Sequence, residues 1–298
     1  MEAQGYTPIK KLGEGGFGKV WQVEKDGKFF AIKKIDKAKL NPDMIELIHK
    51  EIKLTKEICE CDSKDNCKDY VLCYDSSFED NKYIYIVTGL IEGKELFDVL
   101  NDLIDKKNLP PNSTPKSISQ TIYMILYKLT EDIIFIHKKG IIHKDLKIEN
   151  VMVSEKDLKV ILIDFGFACK EIPDYKGDDK CSPIKHGTPH YIAPEIMKGL
   201  VQYGKYYKAD IFALGVIFNV LTSGYFPFDA DSDREVIRKI TLGRMAPIKS
   251  GNDAMDSLIT DMLKMNPVQR PNAEEIIKRL EIDVYEDLEA GQTFQMSK

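Results

Sequence analysis

The residues best placed to do chemistry stand in the block His143-Lys144-Asp145-Leu146-Lys147-Ile148-Glu149-Asn150, followed 14 residues after Asn150 by Asp164-Phe165-Gly166. A carboxylate, a lysine two places on and an asparagine five places on, then a short hairpin ending in Asp-Phe-Gly, suit phosphoryl transfer. That reaction asks a protein mainly to position groups and neutralise charge. Asp145 can accept or orient the proton of an incoming hydroxyl, and Lys147 can neutralise the moving phosphoryl group. Asn150 and Asp164 supply the hard oxygen donors that Mg2+ prefers. Taken singly, each is an ordinary polar loop residue; the joint spacing carries the reading.

Two upstream features fit the same chemistry. In Gly13-Glu14-Gly15-Gly16-Phe17-Gly18-Lys19-Val20 the glycines let backbone N–H groups approach phosphate oxygens. Such a run also fits a plain hairpin or a dinucleotide fold. The dinucleotide fold needs a helix next, whereas Val20-Trp21-Gln22-Val23 followed by Asp26-Gly27 reads as a strand and a tight turn. Ala31-Ile32-Lys33 places a cation on a short apolar strand. Alternation sends Lys33 and Lys34 to opposite faces, so one of them can serve a phosphate and the other faces away. Glu51 shares a helical face with Met44, Leu47, Ile48, Thr55 and Ile58. A carboxylate on a buried face needs a partner, and Lys33 is the natural one.

The elements holding these residues form two groups. The first third reads as strands around one helix: 20–24, 29–33, Tyr70–Tyr74 and Tyr83–Val87, with Asn41-Pro42 as helix cap and first helical residue. After about residue 90, helical patterns dominate, at 117–138, 206–222, 231–242, 252–265 and 272–281, while 141–166 reads as short strands and loops. The stretches 59–69 and 170–187 are polar and irregular. The chain is therefore read as α+β, a small mostly-β lobe and a larger mostly-α lobe, joined at Gly89–Gly93.

Composition narrows the classes. With 298 residues, 43% hydrophobic and a net charge of −5, the chain can build a core, and its mild acidity argues against a dedicated nucleic-acid binder. Six cysteines are too few for a disulfide scaffold. No apolar run approaches the ~18 residues of a membrane span. The start MEAQGYTPIK lacks a secretory pattern, and Glu2 after the initiator Met excludes myristoylation. A reducing cytoplasmic or nuclear compartment is expected. The spacing of Cys59, Cys61, Cys67 and Cys73 lacks a two-residue knuckle, so reduced thiols are expected there rather than zinc. Only five basic residues are arginine (Arg234, Arg238, Arg244, Arg270, Arg279), all in the last 65 residues.

Over about residues 6 to 281 the sequence resembles the eukaryotic protein kinase family. The resemblance rests on the glycine loop, Ala31-Ile32-Lys33, Glu51, the His143–Asn150 block and Asp164-Phe165-Gly166. Gly187-Thr188-Pro189-His190-Tyr191-Ile192-Ala193-Pro194-Glu195, Asp210–Gly215 and Asn266–Pro271 extend it. It implies the two-lobed kinase fold: a small antiparallel β lobe with one helix at 6–89 and a mostly helical lobe at 90–281, followed here by an acidic tail at 282–298. It also implies ATP and Mg2+ as cofactors, and protein substrates, with no nucleic acid or membrane partner. Leu12, Gly13, Gly15, Gly16, Phe17, Gly18, Val20, Ala31, Lys33, Thr88, Gly89, Ile91, Glu95, Asn150 and Asp164 would surround the nucleotide. Among them Thr88 guards the pocket behind adenine, Gly89 and Ile91 offer backbone groups to its edge, and Asn150 and Asp164 hold the metal. Asp145, Lys147, Lys33 and Glu51 are the implied catalytic set.

Lys147 and Thr188 imply serine/threonine specificity. Glu95–Asp98, Gly224–Phe228 and Gly-Thr-Pro-x-Tyr look most like the calcium/calmodulin-dependent group, although no EF-hand loop or basic calmodulin-type helix is evident. Glu95 and Glu149 imply a basic residue three before the phosphoacceptor, while a further acidic position of basophilic members maps to Asn219. Three departures stand out. Lys144 replaces the usual Arg, which in many members grips an activation-loop phosphate bidentately. Ser182 is the only Ser or Thr between Asp164 and Gly187. Thr55 replaces an apolar spine residue. Activity without activation-loop phosphorylation is expected. A pseudokinase scaffold and a small-molecule phosphotransferase are the rival readings; the intact catalytic set opposes the first and Gly187–Glu195 the second.

Overall fold

The computed structural model describes residues 4–15, 18–60, 67–105, 115–154, 157–173, 177, 180–181, 187–201 and 204–294. The chain divides into two compact units, Met1–Glu92 with Ile163–Gly166, and Gly93–Leu162 with Phe167–Lys298. The division falls within Gly89–Gly93; that the Asp-Phe-Gly stretch belongs with the first unit is visible only in the structure.

The first unit is built on strands β1 (Thr7–Gly15), β2 (Gly18–Lys25) and β3 (Lys28–Asp36), helix α1 (Pro42–Cys59), and strands β4 (Tyr74–Glu79) and β5 (Tyr83–Gly89). The sheet is antiparallel in the order β1-β2-β3-β5-β4. Asp26 and Gly27 turn β2 into β3 with φ of 50° and 73°, the left-handed pair that a tight hairpin demands. Asn41 caps α1 by accepting the Met44 N–H at 2.8 Å, with Pro42 in the first turn. The strand expected at Tyr70–Tyr74 instead begins at Tyr74. A 3-10 turn at Cys67–Asp69 precedes it, and the Tyr70 and Val71 N–H groups are spent on the Cys67 carbonyl.

Strand alternation divides this sheet into two working faces. Ile32 and Val87 point into one cluster with Tyr6, Val23 and Tyr85. Ile35, Ile84 and Ile86 point the other way and are covered by Ile48 of α1. Lys33, two residues before Ile35 and directly opposite Ile86, therefore lies on the face that α1 covers. Thr55, fully helical, bonds its hydroxyl back to the Glu51 carbonyl at 2.7 Å, which satisfies a polar group in an apolar spine position.

The second unit contains β6 (Gly93–Glu95), α2 (Leu96–Ile104), α3 (Pro115–Lys138), β7 (Ile141–Ile142), β8 (Val151–Ser154), β9 (Val160–Leu162), β10 (Cys169–Lys170), α4 (Pro194–Lys198), α5 (Tyr207–Ser223), α6 (Asp233–Leu242), α7 (Asp253–Met262), α8 (Ala273–Arg279) and α9 (Tyr285–Glu289). β6-β8-β9 and β7-β10 form two small antiparallel sheets. The expected helices are present; the one read as 252–265 stops at Met262, and α2 was not expected. Helix α5 is buried from Lys208 to Ser223, as its all-round apolar sequence requires.

Two readings need correction. The stretch 282–298, read as a tail, is packed in part: a π-helical turn at Leu280–Val284 leads into α9, and Val284, Leu288 and Phe294 are buried. Their apolar spacing was hidden among acidic neighbours. Nor are all the cysteines reduced. Cys67 is disulfide-bonded, and Cys169 and Cys181 bridge each other. Cys59 and Cys73 are outside any disulfide. Cys61 lies outside the described residues. Among the described residues no cluster of His, Cys, Asp and Glu could hold a metal ion, and no helix is long and apolar enough to cross a membrane.

Candidate active site

In the first unit the strand-to-helix pair forms as its burial requires. Lys33 Nζ lies 2.7 Å from Glu51 Oε1 and 3.9 Å from Asp164 Oδ1. Burial works against the Lys33 ammonium, but the Glu51 and Asp164 carboxylates outweigh it and hold its pKa above the usual lysine value. Asp164 sits at φ 63°. A side chain on Gly166 would come within 3.1 Å of Asp164 Oδ1 and 3.4 Å of Glu51 Oε2, so the glycine leaves these two carboxylates room.

Val20 lies opposite Lys33, and Ala31 opposite Thr88. All four are on one face, where Val20 and Ala31 are half-buried. Thr88 is buried, and its hydroxyl lies 3.5 Å from the Ala31 carbonyl. The Gly89 N–H is spent on the Cys73 carbonyl at 2.9 Å, so Gly89 offers a ligand its carbonyl at most. Ile91 is half-buried and Leu12 is 43% exposed. Gly13 and Gly15 close β1, while Gly16 and Phe17 lie outside the described residues. Gly18 has a packing duty besides the one read in the sequence. A Cβ there would stand 2.3 Å from the Lys34 carbonyl oxygen, so strand packing also requires the glycine.

In the second unit the catalytic block is assembled around a buried carboxylate. Asp210 of α5 accepts the N–H groups of His143 at 2.8 Å and Lys144 at 3.0 Å, and bonds His137 Nε2 at 2.9 Å. Burial would raise its pKa, but His137, the His143 charge and the His143 N–H reverse this and lower it. These bonds hold Lys144 in the left-handed region at φ 63°, a costly conformation for a long side chain. Burial lowers the Lys144 pKa against the pull of Asp210.

Asp145 is thereby aimed. Its Oδ2 receives Asn150 Nδ2 at 3.0 Å and faces Lys147 Nζ at 3.2 Å, and its carbonyl takes the other Asn150 amide proton at 2.8 Å. With both amide protons of Asn150 engaged, its oxygen is turned elsewhere as a hard donor. Gly187, at φ 105°, passes so close that a Cβ would meet Asp145 Oδ1 at 2.8 Å. Lys144, Asp145, Gly187, Thr188, Tyr191 and Ala193 line a small cleft.

Comparison with known proteins decides the family: residues 6–280 match the protein kinase domain. The chain belongs to the protein kinase family. It is similar to Calcium-dependent protein kinase 5 of Plasmodium berghei (strain Anka), 33% identical over 276 residues, covering 90% of this chain and 44% of that protein. It is also similar to Serine/threonine-protein kinase 33 of Bos taurus, 29% over 287 residues (91% and 54%), and to Calcium-dependent protein kinase SK5 of Glycine max, 30% over 282 residues (92% and 50%). The chain spans about half the length of these curated relatives. The expected two-lobed fold and the placement among serine/threonine kinases near the calcium/calmodulin-dependent group agree with them.

Several residues of the kinase had no weight in the sequence reading. Asp210 was seen only as part of a motif, His137 not at all, and Glu171, which caps α5, lay in a stretch read as irregular. Asn219 is fully buried, with Nδ2 on the Tyr225 carbonyl at 2.7 Å, so it belongs to the packing of α5.

Proposed function

We propose that this kinase transfers the γ-phosphoryl group of Mg·ATP to serine or threonine hydroxyls of proteins. The observation that carries the reading is the environment of Asp145: nearly buried, oriented by Asn150 and faced by Lys147. Asp145 would orient the acceptor hydroxyl and take its proton. Lys147 would offset charge on the phosphoryl group in flight. Lys33, fixed by Glu51, and backbone N–H groups of the glycine loop would hold the nucleotide phosphates. The Asn150 amide oxygen and the Asp164 carboxylate are hard oxygen donors of the kind Mg2+ prefers; they would hold the ion, which would supply charge neutralisation for the phosphates.

The preferred substrate carries a basic residue three before the acceptor. Glu149 Oε2 is buried with no hydrogen-bond partner among the described residues. Burial, Asp98 and Glu149 raise the pKa of Glu95, so these carboxylates feel one another. An arriving arginine or lysine relieves both conditions. Activity does not need a phosphate on Ser182, which lies outside the described residues, because Lys144 is a poor two-pronged grip. Ser182→Ala should keep most activity.

The test is radiolabelled ATP with a basic-directed peptide library, comparing wild type with Asp145→Asn. A loss of about 10²-fold or more is expected. Equal labelling by both proteins would remove the assignment.

A further inference from the structure

The root of the activation segment is fixed in three ways. β10 pairs with β7, Cys169 opposite Ile142 and Lys170 opposite Ile141. Glu171 donates its N–H to the Gly140 carbonyl at 2.8 Å. Its carboxylate also accepts the N–H groups of Gly204, Lys205, Tyr206 and Tyr207 at 2.6 to 3.3 Å, at the start of α5. The third fastening is covalent. Cys169 and Cys181 are joined across 12 residues, with Cα atoms 4.9 Å apart, and the Cys181 N–H donates to the Lys170 carbonyl at 3.0 Å.

This bond sits where it can govern catalysis. Cys169 pairs with the residue just before His143, and Cys181 stands six residues before Gly187, which packs against Asp145. The bridge thus ties the chain that runs into Gly187 to the strand beside the catalytic loop. Elsewhere in the family a phosphate gripped by arginine can make such a tie; here position 144 is a half-buried lysine. Each cysteine has a lysine neighbour, and Lys170 and Lys180 lie side by side. In a reducing compartment, the one expected from the sparse cysteines, a protein disulfide is characteristically transient or regulatory.

We propose that Cys169 and Cys181 are a redox modification site that switches this kinase, active when bridged and less active as the dithiol. The oxidant is a low-molecular-weight disulfide such as glutathione disulfide. One cysteine thiolate attacks it, forming a mixed disulfide and releasing one small thiolate. The second cysteine thiolate attacks the protein sulfur of the mixed disulfide, closing the bridge and releasing the other. Two electrons pass from the cysteines to the small disulfide, and the two thiol protons end on the released thiols. A dithiol reductant reverses both steps. Both cysteines are buried, 5% and 9% exposed, so exchange takes minutes or longer. Opening the bridge releases Cys181 from Cys169, and the rate falls with the fraction of time that Gly187 and Asp145 spend in the competent arrangement.

The proposal rests on the phosphotransfer activity, and one experiment reads the two separately. The whole chain is equilibrated in glutathione buffers from fully reduced to fully oxidised. Thiols are trapped by alkylation, the bridge is counted by mass spectrometry, and peptide phosphorylation is measured in each buffer. Activity should track the 169–181 bridge, falling about tenfold on reduction, as for a segment competent one time in ten, and returning on reoxidation. Cys169→Ser and Cys181→Ser should each stay near the reduced level and stop responding. Cys59→Ser, Cys67→Ser and Cys73→Ser should respond like wild type.

Activity that stays constant while the bridge opens and closes would overturn the switch and leave the kinase reading intact. So would higher activity in the reduced form, or a response that persists in Cys169→Ser. No phosphotransfer in any buffer would overturn both. Should the serine variants fail to fold, the wild-type titration decides alone.

Discussion

Arg270→Lys keeps the charge and removes the fork. The Arg270 side chain is 0% exposed. Its two terminal nitrogens donate to Glu195 Oε1 at 2.6 Å and Oε2 at 2.8 Å, Nε donates to the Lys264 carbonyl at 2.8 Å, and NH1 also reaches the Lys208 carbonyl at 2.8 Å. The guanidinium lies 5.0 Å from the Phe212 ring centre. A single ammonium nitrogen cannot meet two carboxylate oxygens and two carbonyls set around a plane, so about two of these bonds are lost. Hydrogen bonds to charged groups are worth about 1.5–3 kcal/mol each. Glu195 keeps a counter-charge, so the ~3–5 kcal/mol of a fully broken buried pair is an upper bound. The expected loss is about 3 kcal/mol, a large share of the ~5–15 kcal/mol that holds a domain folded. It should appear in urea unfolding and as a fall of roughly 6–12 °C in Tm. A double-mutant cycle with Glu195→Gln should show strong coupling. If Arg270→Lys unfolds within about 0.5 kcal/mol of wild type, a size typical of neutral surface changes, the fork is not what the site requires.

Three further outcomes follow from named groups. Glu149→Gln should cut kcat/KM for a peptide with arginine three before the acceptor by about tenfold or more, and leave an alanine-substituted peptide little changed. Because the Glu95 pKa is raised, acidification should protonate it earlier than an ordinary glutamate, so KM for the arginine peptide should climb as pH falls through that pKa while the alanine peptide stays level. Asp132 is buried, its Oδ2 has no partner among the described residues, and burial pushes its pKa well up, with Glu131 adding to the push. The folded state then holds a proton that the unfolded chain releases near pH 4, so stability should decline as pH rises from about 4 toward the folded pKa. Urea midpoints of wild type and Asp132→Asn at pH 5 and pH 8 test this; equal pH slopes in the two proteins would refute it.

What could be read before the fold was known shares a physical character. Lys33 and Glu51 were legible because strand alternation and helical periodicity each name a face, and a buried charge needs a mate. The Asp145, Lys147 and Asn150 cluster was legible because five residues of chain suffice to bring it together. Interactions that span long stretches were not legible. Nothing in the chain order ties Glu171 to the start of α5, or His137 to Asp210 across 73 residues. The bridge between Cys169 and Cys181 depends on β10 folding back beside β7, and a count of six cysteines gave no warning of it. That the strand beside Gly18 also demands a glycine was not legible either, because the clash is with Lys34, 16 residues on.

Beyond Arg279 the structure has a practical consequence for anyone who cuts the molecule. The family match ends at residue 280, yet the folded body runs on. Tyr127 donates to Glu281 at 2.7 Å, the Tyr123 and Tyr285 rings meet at 5.6 Å, and the Phe294 N–H closes on Ser119 Oγ at 2.8 Å. Val284 and Leu288 are almost wholly shielded from water. A protein trimmed at the family boundary would carry an uncovered apolar strip along α3, the kind of surface that drives self-association. The final turns therefore work as a solubility seal, and a fusion partner belongs after residue 294, not after 280.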